Sequence, residues 1–369
     1  MTRSLPPFWP AVAHRCGMIF FGTLVFFLTL GIVGMSATLF LAILGVLMAP
    51  ANQDSPYQHV SGKETSRNRI LTIDIVGPIL GSPQTEEDTL FSSIVGVTYG
   101  YQVQQQLEAA AEDESVKAIL LNIATPGGTI FGSQAIADGI NAYRKATQRP
   151  VYAFVEGISA SGGVWAMVAA DKIYADHGSL IGSIGIIGPS VLFYDRPTSL
   201  DSGLFQGGVT ANAIEERTLS AGRGKDFGNP FRRLTPAEIQ VFQAGLEQEY
   251  STFVSHVAKA RGIDPSVIRN QMGAMVFSNA QAQQYRLIDG TLSRPQVITA
   301  LARAAQIDDN YAVVRLRRDR TPLINQLFGV HLPRPSQQEQ HLWQQQQLCA
   351  LSQQRALAYY GQLASLCRP

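Results

Sequence analysis

The stretch that decides the fold runs from Val151 to Met167, with the sequence VYAFVEGISASGGVWAM. Residues 151–155 are β-branched, aromatic or small apolar residues, and this pattern predicts a short buried strand. Small residues then form a tight turn, and a helix is expected to begin near Val164. Ser161 therefore follows a strand and lies just ahead of a helix N-terminus, where the first N–H groups have no partner within the helix.

That position suits a nucleophilic serine. The unpaired N–H groups carry partial positive charge, so they stabilise the oxyanion that forms when a serine Oγ attacks a carbonyl carbon. Gly162 and Gly163 allow the backbone and a substrate to approach closely. The simpler interpretation is a Ser/Gly loop that caps a core helix, and this stretch alone does not separate the two.

Strand and helix patterns alternate in short units around this stretch. The strand patterns lie at 69–76, 118–123, 151–155 and 172–175. This alternation predicts an α/β fold with a largely parallel sheet. Because the turns at 125–129 and 157–163 both follow strands, we expect them to line one crevice at the carboxyl edge of the sheet.

The second half of the chain is more helical. Residues 235–238, with the sequence TPAE, form a capping box that opens a long helix, and Gly262 is expected to end it. A spacing of three to four predicts one buried face made of Ile239, Phe242, Leu246, Tyr250, Phe253 and Val257. Residues 178–188 predict a strand interrupted by glycines, and the Gln-rich tail at 335–369 is expected to be helical.

The N-terminal region is apolar. Residues 17–48 contain no charge and exceed the roughly 20 residues that a transmembrane helix needs. They predict a retained membrane anchor, either one tilted span or a tight hairpin near 31–34, after a cytoplasmic N-terminus at 1–16. Positive residues flank both ends of the anchor, so charge alone does not determine its orientation.

The rest of the chain divides into three predicted parts. A polar linker spans 49–68, a globular domain spans 69–305, and a C-terminal extension spans 306–369. Cys349 and Cys367 in that extension either pair in an oxidising compartment or remain free thiols.

Composition excludes several classes of function. The net charge of +1 argues against a nucleic-acid-binding protein, which needs a strong basic patch. The three cysteines lack the spacing of a metal site. We therefore expect no nucleic acid, metal or cofactor among the partners of the chain.

A serine nucleophile also needs a base. Among six histidines only His177 lies near the glycine-rich region, and a single loop histidine is usually a solvated residue. A lysine serves as the base when its surroundings favour the neutral amine. Lys225 lies in a glycine-flanked loop where Phe227 and Phe231 are able to cover its amine, although most lysines in such loops are plain surface residues.

Three motifs together carry a family resemblance. They are NIATPGGTIFGS (122–133), SASGGVWAMVAADKIYADHGSLIGSIGIIGP (159–189) and SAGRGKDFGNPFRRLTPAE (220–238). In order and spacing they resemble the protease IV family, the SppA/SohB-type bacterial signal peptide peptidases. The resemblance covers about residues 70–300 and implies an α/β fold like that of Clp protease and crotonase, a spiral of ββα units.

The resemblance also implies roles for individual residues. Ser161 corresponds to the nucleophile and Lys225 to the general base. Gly127 or Gly128 corresponds to an oxyanion donor, beside the N–H of Gly162. Because each motif occurs once, the resemblance implies a homo-oligomer in which serine and lysine come from neighbouring subunits.

These expectations describe a membrane-anchored serine endopeptidase that cleaves short apolar peptides, such as signal-peptide remnants. By resemblance it belongs to the bacterial inner (cytoplasmic) membrane, with the peptidase domain at 69–305 on the periplasmic side. Two alternatives stay open. One is a crotonase-type acyl-CoA enzyme, which would share the glycine donors without needing Ser161, and the other is a catalytically silent membrane scaffold. The polar segment 190–218 leaves the specificity undetermined.

Overall fold

The computed structural model describes residues 55–83, 96–197, 199–200, 209–210, 213–215, 217–317 and 357–359, together with Thr29. Contacts divide the chain at Pro56, and the fold below is that of the second unit, which begins at Tyr57. The predicted anchor, apart from Thr29, and both tail cysteines lie outside the described residues. No helix in the described ranges is long and apolar enough to cross a membrane.

Strands and helices alternate along most of this unit. The strands are β1 (Tyr57–Gly62), β2 (Arg69–Val76), β3 (Ile79–Leu80), β4 (Thr98–Tyr99), β5 (Val116–Thr125), β6 (Gly127–Thr129), β7 (Val151–Ala160), β8 (Lys172–Ala175), β9 (Leu180–Gly182), β10 (Ser199–Leu200), β11 (Val209–Thr210), β12 (Val276–Ser278), β13 (Gly290–Thr291), β14 (Ala312–Leu316) and β15 (Leu357–Tyr359). The helices are α1 (Gly100–Glu112), α2 (Ile130–Thr147), α3 (Gly162–Met167), α4 (Pro236–Arg261), α5 (Pro265–Val267), α6 (Asn279–Gln284) and α7 (Arg294–Ala304), and a π-helical turn covers Ile268–Met272.

The main sheet has the order β1-β14-β2-β5-β7-β8-β13, and β9 pairs with both the end of β7 and β12. Neighbours from β14 to β13 are parallel, whereas β1 and β12 pair antiparallel with β14 and β9. The expected α/β fold with a largely parallel sheet is confirmed. A smaller sheet has the order β15-β6-β3-β4.

Both faces of the main sheet are covered, which explains why its central strands are apolar throughout. In β5, Ile119 and Leu121 belong to the larger core cluster, which also contains residues of α1, α2, α3 and α4. The alternate residues Ala118 and Leu120 belong to a second cluster with Val297 of α7. The carboxyl edge of this sheet is therefore a fixed frame for the turns that follow each strand.

The folded region extends beyond its predicted bounds at both ends. β1 lies within the predicted linker at 49–68, and β14 lies within the predicted extension at 306–369. β1 was not recognised because it is an edge strand in which only Tyr57 is buried, so it lacks an apolar alternation. The Tyr57 hydroxyl donates to Asp113 Oδ2 at 2.7 Å and ties this edge to the end of α1.

Two other predictions need correction. The strand expected over 178–188 is confined to β9, because the chain leaves the sheet where Ser183 adopts a φ of 56°. The predicted apolar face of α4 is buried only in its second half. Phe253 is buried, whereas Ile239 and Phe242 are 53% and 40% exposed, since the first half of the helix extends away from the core.

Candidate active site

Two neighbouring strands bring the candidate residues to one place. β5 and β7 are parallel, and Thr125 pairs with Ser159 near their carboxyl ends. The chain after β5 forms β6 and then α2, and the chain after β7 passes through Ser161 into α3. The two turns lie side by side as expected, but β7 runs to Ala160 and the helix begins at Gly162, two residues earlier than predicted.

Ser161 has an unusual backbone conformation. Its φ of 55° and ψ of −113° lie in a region that residues with a Cβ rarely adopt. Two hydrogen bonds hold this conformation: the Ser161 N–H donates to the Gly182 carbonyl at 2.8 Å, and the Ser161 carbonyl accepts from the Trp165 N–H at 3.0 Å. Strain of this kind persists only where the surroundings impose it, and it is concentrated at functional sites.

The Ser161 side chain is buried at the start of α3. Its Oγ donates to the carbonyl oxygen of Gly185 at 3.3 Å. This partner is a backbone group in the segment after β9, so the hydroxyl is oriented by a wall of the crevice.

Glycine amides surround this serine. Gly127 has a φ of 96°, and a Cβ on it would lie 2.7 Å from the Gly162 nitrogen and 2.8 Å from the Ala160 carbonyl oxygen. A Cβ on Gly162 would lie 3.1 Å from the Gly128 nitrogen. The structure therefore brings the predicted residues Gly127, Gly128 and Gly162 together beside Ser161, in a space that admits no side chain.

Buried hydroxyls support the glycine turn. Thr125 Oγ1 accepts from the Gly127 N–H at 3.0 Å and donates to the Gly77 carbonyl at 2.5 Å. Thr129 Oγ1 accepts from the Gly132 N–H at 3.2 Å and caps the N-terminus of α2. These bonds hold the turn between β5 and α2 independently of any substrate.

The crevice is occupied by a strand from the C-terminal tail of the same chain. β15 pairs antiparallel with β6, and Ala358 lies opposite Gly128. On its other side, the Leu357 N–H donates to the Ile187 carbonyl at 2.9 Å, and the Ile187 N–H donates to the Leu357 carbonyl at 3.0 Å. An extended segment is thus bonded through its backbone on both sides, as in β-strand addition.

One carbonyl group of this strand lies directly beside the glycines. The Ala358 carbonyl oxygen would lie 3.1 Å from a Cβ on Gly162 and would also clash with one on Gly127. Leu357 and Ala358 are completely buried. The prediction of a helical tail is wrong for residues 357–359, which form the strand β15. The signal in the sequence is the small–apolar–small pattern of Ala356, Leu357 and Ala358, which is the kind of pattern found before signal-peptide cleavage sites.

Lys225 lies elsewhere in the described chain. It is exposed in the loop that precedes α4, and no hydrogen bond or ion pair links it to Ser161 in the part of the chain that the structure describes. Its neighbour Asp226 is bonded to Arg232. Within one chain the proposed serine–lysine pair is not assembled, so the role of Lys225 stays a prediction.

The two described histidines that come nearest to this site in the sequence or the fold, His177 and His256, are not placed as bases. His177 is exposed, and its backbone N–H donates to Asp176 Oδ1 at 2.8 Å. His256 Nε2 lies 2.9 Å from the Trp165 carbonyl oxygen at the far end of α3. Among the described residues, no cluster of three or more His, Cys, Asp or Glu side chains is arranged to hold a metal ion.

Comparison with known proteins shows what this crevice is. The sequence profile of peptidase family S49 matches residues 143–308, a region that includes both Ser161 and Lys225. The chain matches peptidase family S49 over this region. It is a serine peptidase, which decides against the acyl-CoA alternative. The profile of Clp protease matches residues 85–176 of the S49 chain and identifies its fold as Clp protease-like.

Several curated proteins resemble this S49 chain. Putative protease MJ0651 of Methanocaldococcus jannaschii is 28% identical over 203 residues, which cover 55% of this chain and 61% of the relative. Putative signal peptide peptidase SppA of Enterococcus faecium is 27% identical over 266 residues, which cover 72% and 71%. Protease 4 of Salmonella typhi is 30% identical over 202 residues, which cover 55% and 30%. The predicted resemblance to the SppA/protease IV family is confirmed.

Among solved structures, a mutant of ClpP1 from Listeria monocytogenes aligns with a TM-score of 0.37 and 16% identity. The alignment covers 61% of this chain and 92% of the ClpP1 chain.

Proposed function

We propose that this S49 peptidase is a membrane-anchored endopeptidase that uses Ser161 as nucleophile and Lys225 as general base. Its substrates are extended apolar peptides such as signal-peptide remnants. The observation that carries the proposal is β15, which lies between β6 and Ile187 with its backbone beside the glycine amides. A peptide that replaces β15 would present one carbonyl to these amides and to Ser161.

The chemistry follows from that placement. Ser161 Oγ attacks the scissile carbonyl carbon, and its proton passes to the neutral amine of Lys225. The oxyanion accepts hydrogen bonds from the N–H of Gly162 and from that of Gly128, because the Gly127 N–H already donates to Thr125 Oγ1. The C–N bond then breaks as the lysine returns its proton to the leaving amine. Water hydrolyses the acyl-serine ester by the same steps.

The lysine comes from a neighbouring subunit in this proposal. Lys225 is exposed within one chain, and the helix that follows its loop carries exposed apolar residues, with Val241 71% exposed. Packing of a second copy against this helix would bury apolar area and would favour the uncharged lysine by removing water. We therefore propose a homo-oligomer with shared sites.

The membrane assignment rests on the sequence. Residues 17–48 supply the anchor. The family resemblance, and not the charge pattern, is the reason to propose that the peptidase domain lies on the periplasmic side of the inner membrane, where it meets apolar peptides near the bilayer.

The test measures turnover of a fluorogenic apolar peptide by the full chain in detergent micelles. Ser161→Ala and Lys225→Ala are each expected to lower kcat by roughly 10⁴-fold or more, since both groups take part in bond breaking. Ser159→Ala and Lys145→Ala are matched controls, because Ser159 is buried with its Oγ on the Met167 sulfur and Lys145 lies at the end of α2. Full turnover by either Ser161→Ala or Lys225→Ala would refute the proposed pair.

A further inference from the structure

The loop that carries Lys225 is closed by three charged side chains. Arg232 Nε and Nη2 donate to Oδ2 and Oδ1 of Asp226 at 2.7 and 2.8 Å. Arg232 Nη1 and Nη2 also donate to Oε2 and Oε1 of Glu238 at 2.9 and 2.6 Å. The guanidinium group therefore makes a two-pronged contact with each carboxylate, which is the strong and directional form of this interaction.

This cluster connects the loop to α4. Glu238 is the third residue of α4 and completes its capping box, in which Glu238 Oε2 accepts from the Thr235 N–H at 2.8 Å. Asp226 immediately follows Lys225 in the chain. The backbone at Lys225 is thereby held at a set distance from the start of a 26-residue helix.

Aromatic packing holds the same loop on a second side. The Phe227 ring stacks on Phe242 of α4, with centroids 3.9 Å apart and planes 12° apart. The Phe227 N–H donates to the Gly224 carbonyl at 3.1 Å and closes a turn around Lys225. This contact explains why Phe227 does not cover the lysine as the sequence suggested.

The cluster also has an electrostatic consequence. A carboxylate close to a lysine favours the ammonium form, which cannot act as a base. Hydrogen bonds from Arg232 lower the pKa of Asp226 and hold that of Glu238 at about 2, so both are charged at neutral pH. Because Arg232 uses both oxygens of Asp226, that carboxylate is already engaged.

We propose that Arg232 is a positioning residue for the catalytic lysine: it fixes the Lys225 loop on α4 and keeps Asp226 from pairing with the Lys225 amine. The inference rests on the proposed function, in which Lys225 is the base. The charged groups on the loop and at the start of α4 are Arg223, Asp226, Arg232, Arg233 and Glu238. Asp195, Arg196, Glu215 and Arg217 line the same pocket as Asp226 and Arg232. Without Arg232, Asp226 is free to turn toward Lys225 and stabilise its ammonium form.

The test compares pH–rate profiles of the full chain for Arg232→Met and for the double variant Asp226→Asn/Arg232→Met. The single variant is expected to lose about tenfold in kcat at neutral pH with little change in KM. The acidic limb of its profile should move up by about one pH unit, because each unit corresponds to a tenfold change in the neutral fraction. The double variant should return the limb to its wild-type position, since the competing carboxylate is gone.

A matched control variant and two contradicting outcomes complete the test. Arg269→Met removes another arginine–glutamate pair, in which Arg269 of the π-helical turn donates to Glu247 of α4 at 2.9 Å, and should leave the profile unchanged. An equal loss at every pH in Arg232→Met, with no movement of the limb, would reduce Arg232 to a structural role and overturn the inference. If Arg232→Met does not fold, Asp226→Asn/Arg232→Met and Arg232→Lys are measured instead. Arg232→Lys loses the two-pronged contacts, so the inference expects its acidic limb to shift. The inference is also overturned if the acidic limb of Arg232→Lys stays in place while that of the double variant shifts.

The lysine variant separates this inference from the proposed function. If Lys225→Ala keeps full activity, the base is another group and both proposals fail. If Lys225→Ala is inactive while the limb of Arg232→Met stays in place, only the positioning inference fails.

Discussion

Nε2 of His256 lies 2.9 Å from the carbonyl oxygen of Trp165, and the two rings stack with centroids 5.3 Å apart. Trp165 belongs to α3, the short helix that starts beside Ser161. Its indole Nε1–H donates to Gln134 Oε1 of α2 at 2.8 Å, and its ring packs on Phe253 of α4 at 4.7 Å. The helix that follows the nucleophile is therefore held on both sides by side chains from α2 and α4.

This contact predicts a pH dependence of stability. Burial lowers the pKa of His256, so the folded protein holds it neutral while the unfolded chain takes up a proton near pH 6.5. The free energy of unfolding should therefore fall as the pH drops below about 6.5, since the unfolded state binds more protons there. Denaturant melts between pH 7.5 and 5 give the free energy of unfolding at each pH. This free energy should change less with pH in His256→Gln than in the wild type. His177→Gln, at an exposed site, is the control, and equal slopes in all three proteins would contradict the prediction.

The glycine turn predicts a steric effect that is separate from backbone strain. Gly127→Ala should abolish peptidase activity, because a Cβ would displace the Gly162 nitrogen or the Ala160 carbonyl. Gly157→Ala carries similar strain, with a φ of 86°, but nothing lies within 4 Å of its added Cβ. Activity assays with thermal melts on both variants test this. A Gly127→Ala enzyme that melts like Gly157→Ala and still turns over peptide would show that the close approach is unimportant.

The tail strand predicts competition with substrate. Deletion of residues 357–369 should raise kcat/KM for an added peptide several-fold, because a tethered segment has an effective concentration in the millimolar range. A synthetic peptide with the sequence of residues 350–365 should inhibit the truncated enzyme competitively. Unchanged kcat/KM after truncation would mean that β15 leaves the crevice in solution.

The same register predicts a cleavage position. The Ala358 carbonyl lies beside the glycine amides, so mass spectrometry of the purified full chain should reveal a product that ends at Ala358. Ser161→Ala should remain intact, and this variant controls for cleavage by other proteases. Cleavage at a different bond would show that the productive register is shifted from that of β15.

The exposed half of α4 predicts subunit contact. Val241→Glu should lower the oligomeric mass and the activity together, because it places a charge on an apolar surface that another copy would bury. Light scattering measures the mass, and Gln240→Glu, which adds the same charge at an adjacent polar position, is the control. A dissociated Val241→Glu protein with full activity would contradict the shared site.

Several features followed from local sequence. β2 spans Arg69–Val76 as its alternating pattern predicts, and α4 begins at its capping box and ends at Gly262. These elements are set by residues close in sequence, whose spacing and hydrogen bonds act before distant parts of the chain meet. The motifs around Gly127, Ser161 and Lys225 were enough to indicate the family.

Other features were decided by the tertiary structure. The periodicity of α4 predicted one buried face along its length, but apolar spacing does not state which surface, or which subunit, covers it. For the same reason the sequence did not predict β1, which pairs with a strand from the other end of the chain. It did not predict β15 either, which is a strand only because β6 and Ile187 provide backbone partners on both sides. Local patterns thus determined the elements and the motifs of this protein. The pairing of distant segments, which depends on hydrogen-bonding edges formed only in the folded chain, determined what fills the crevice beside Ser161.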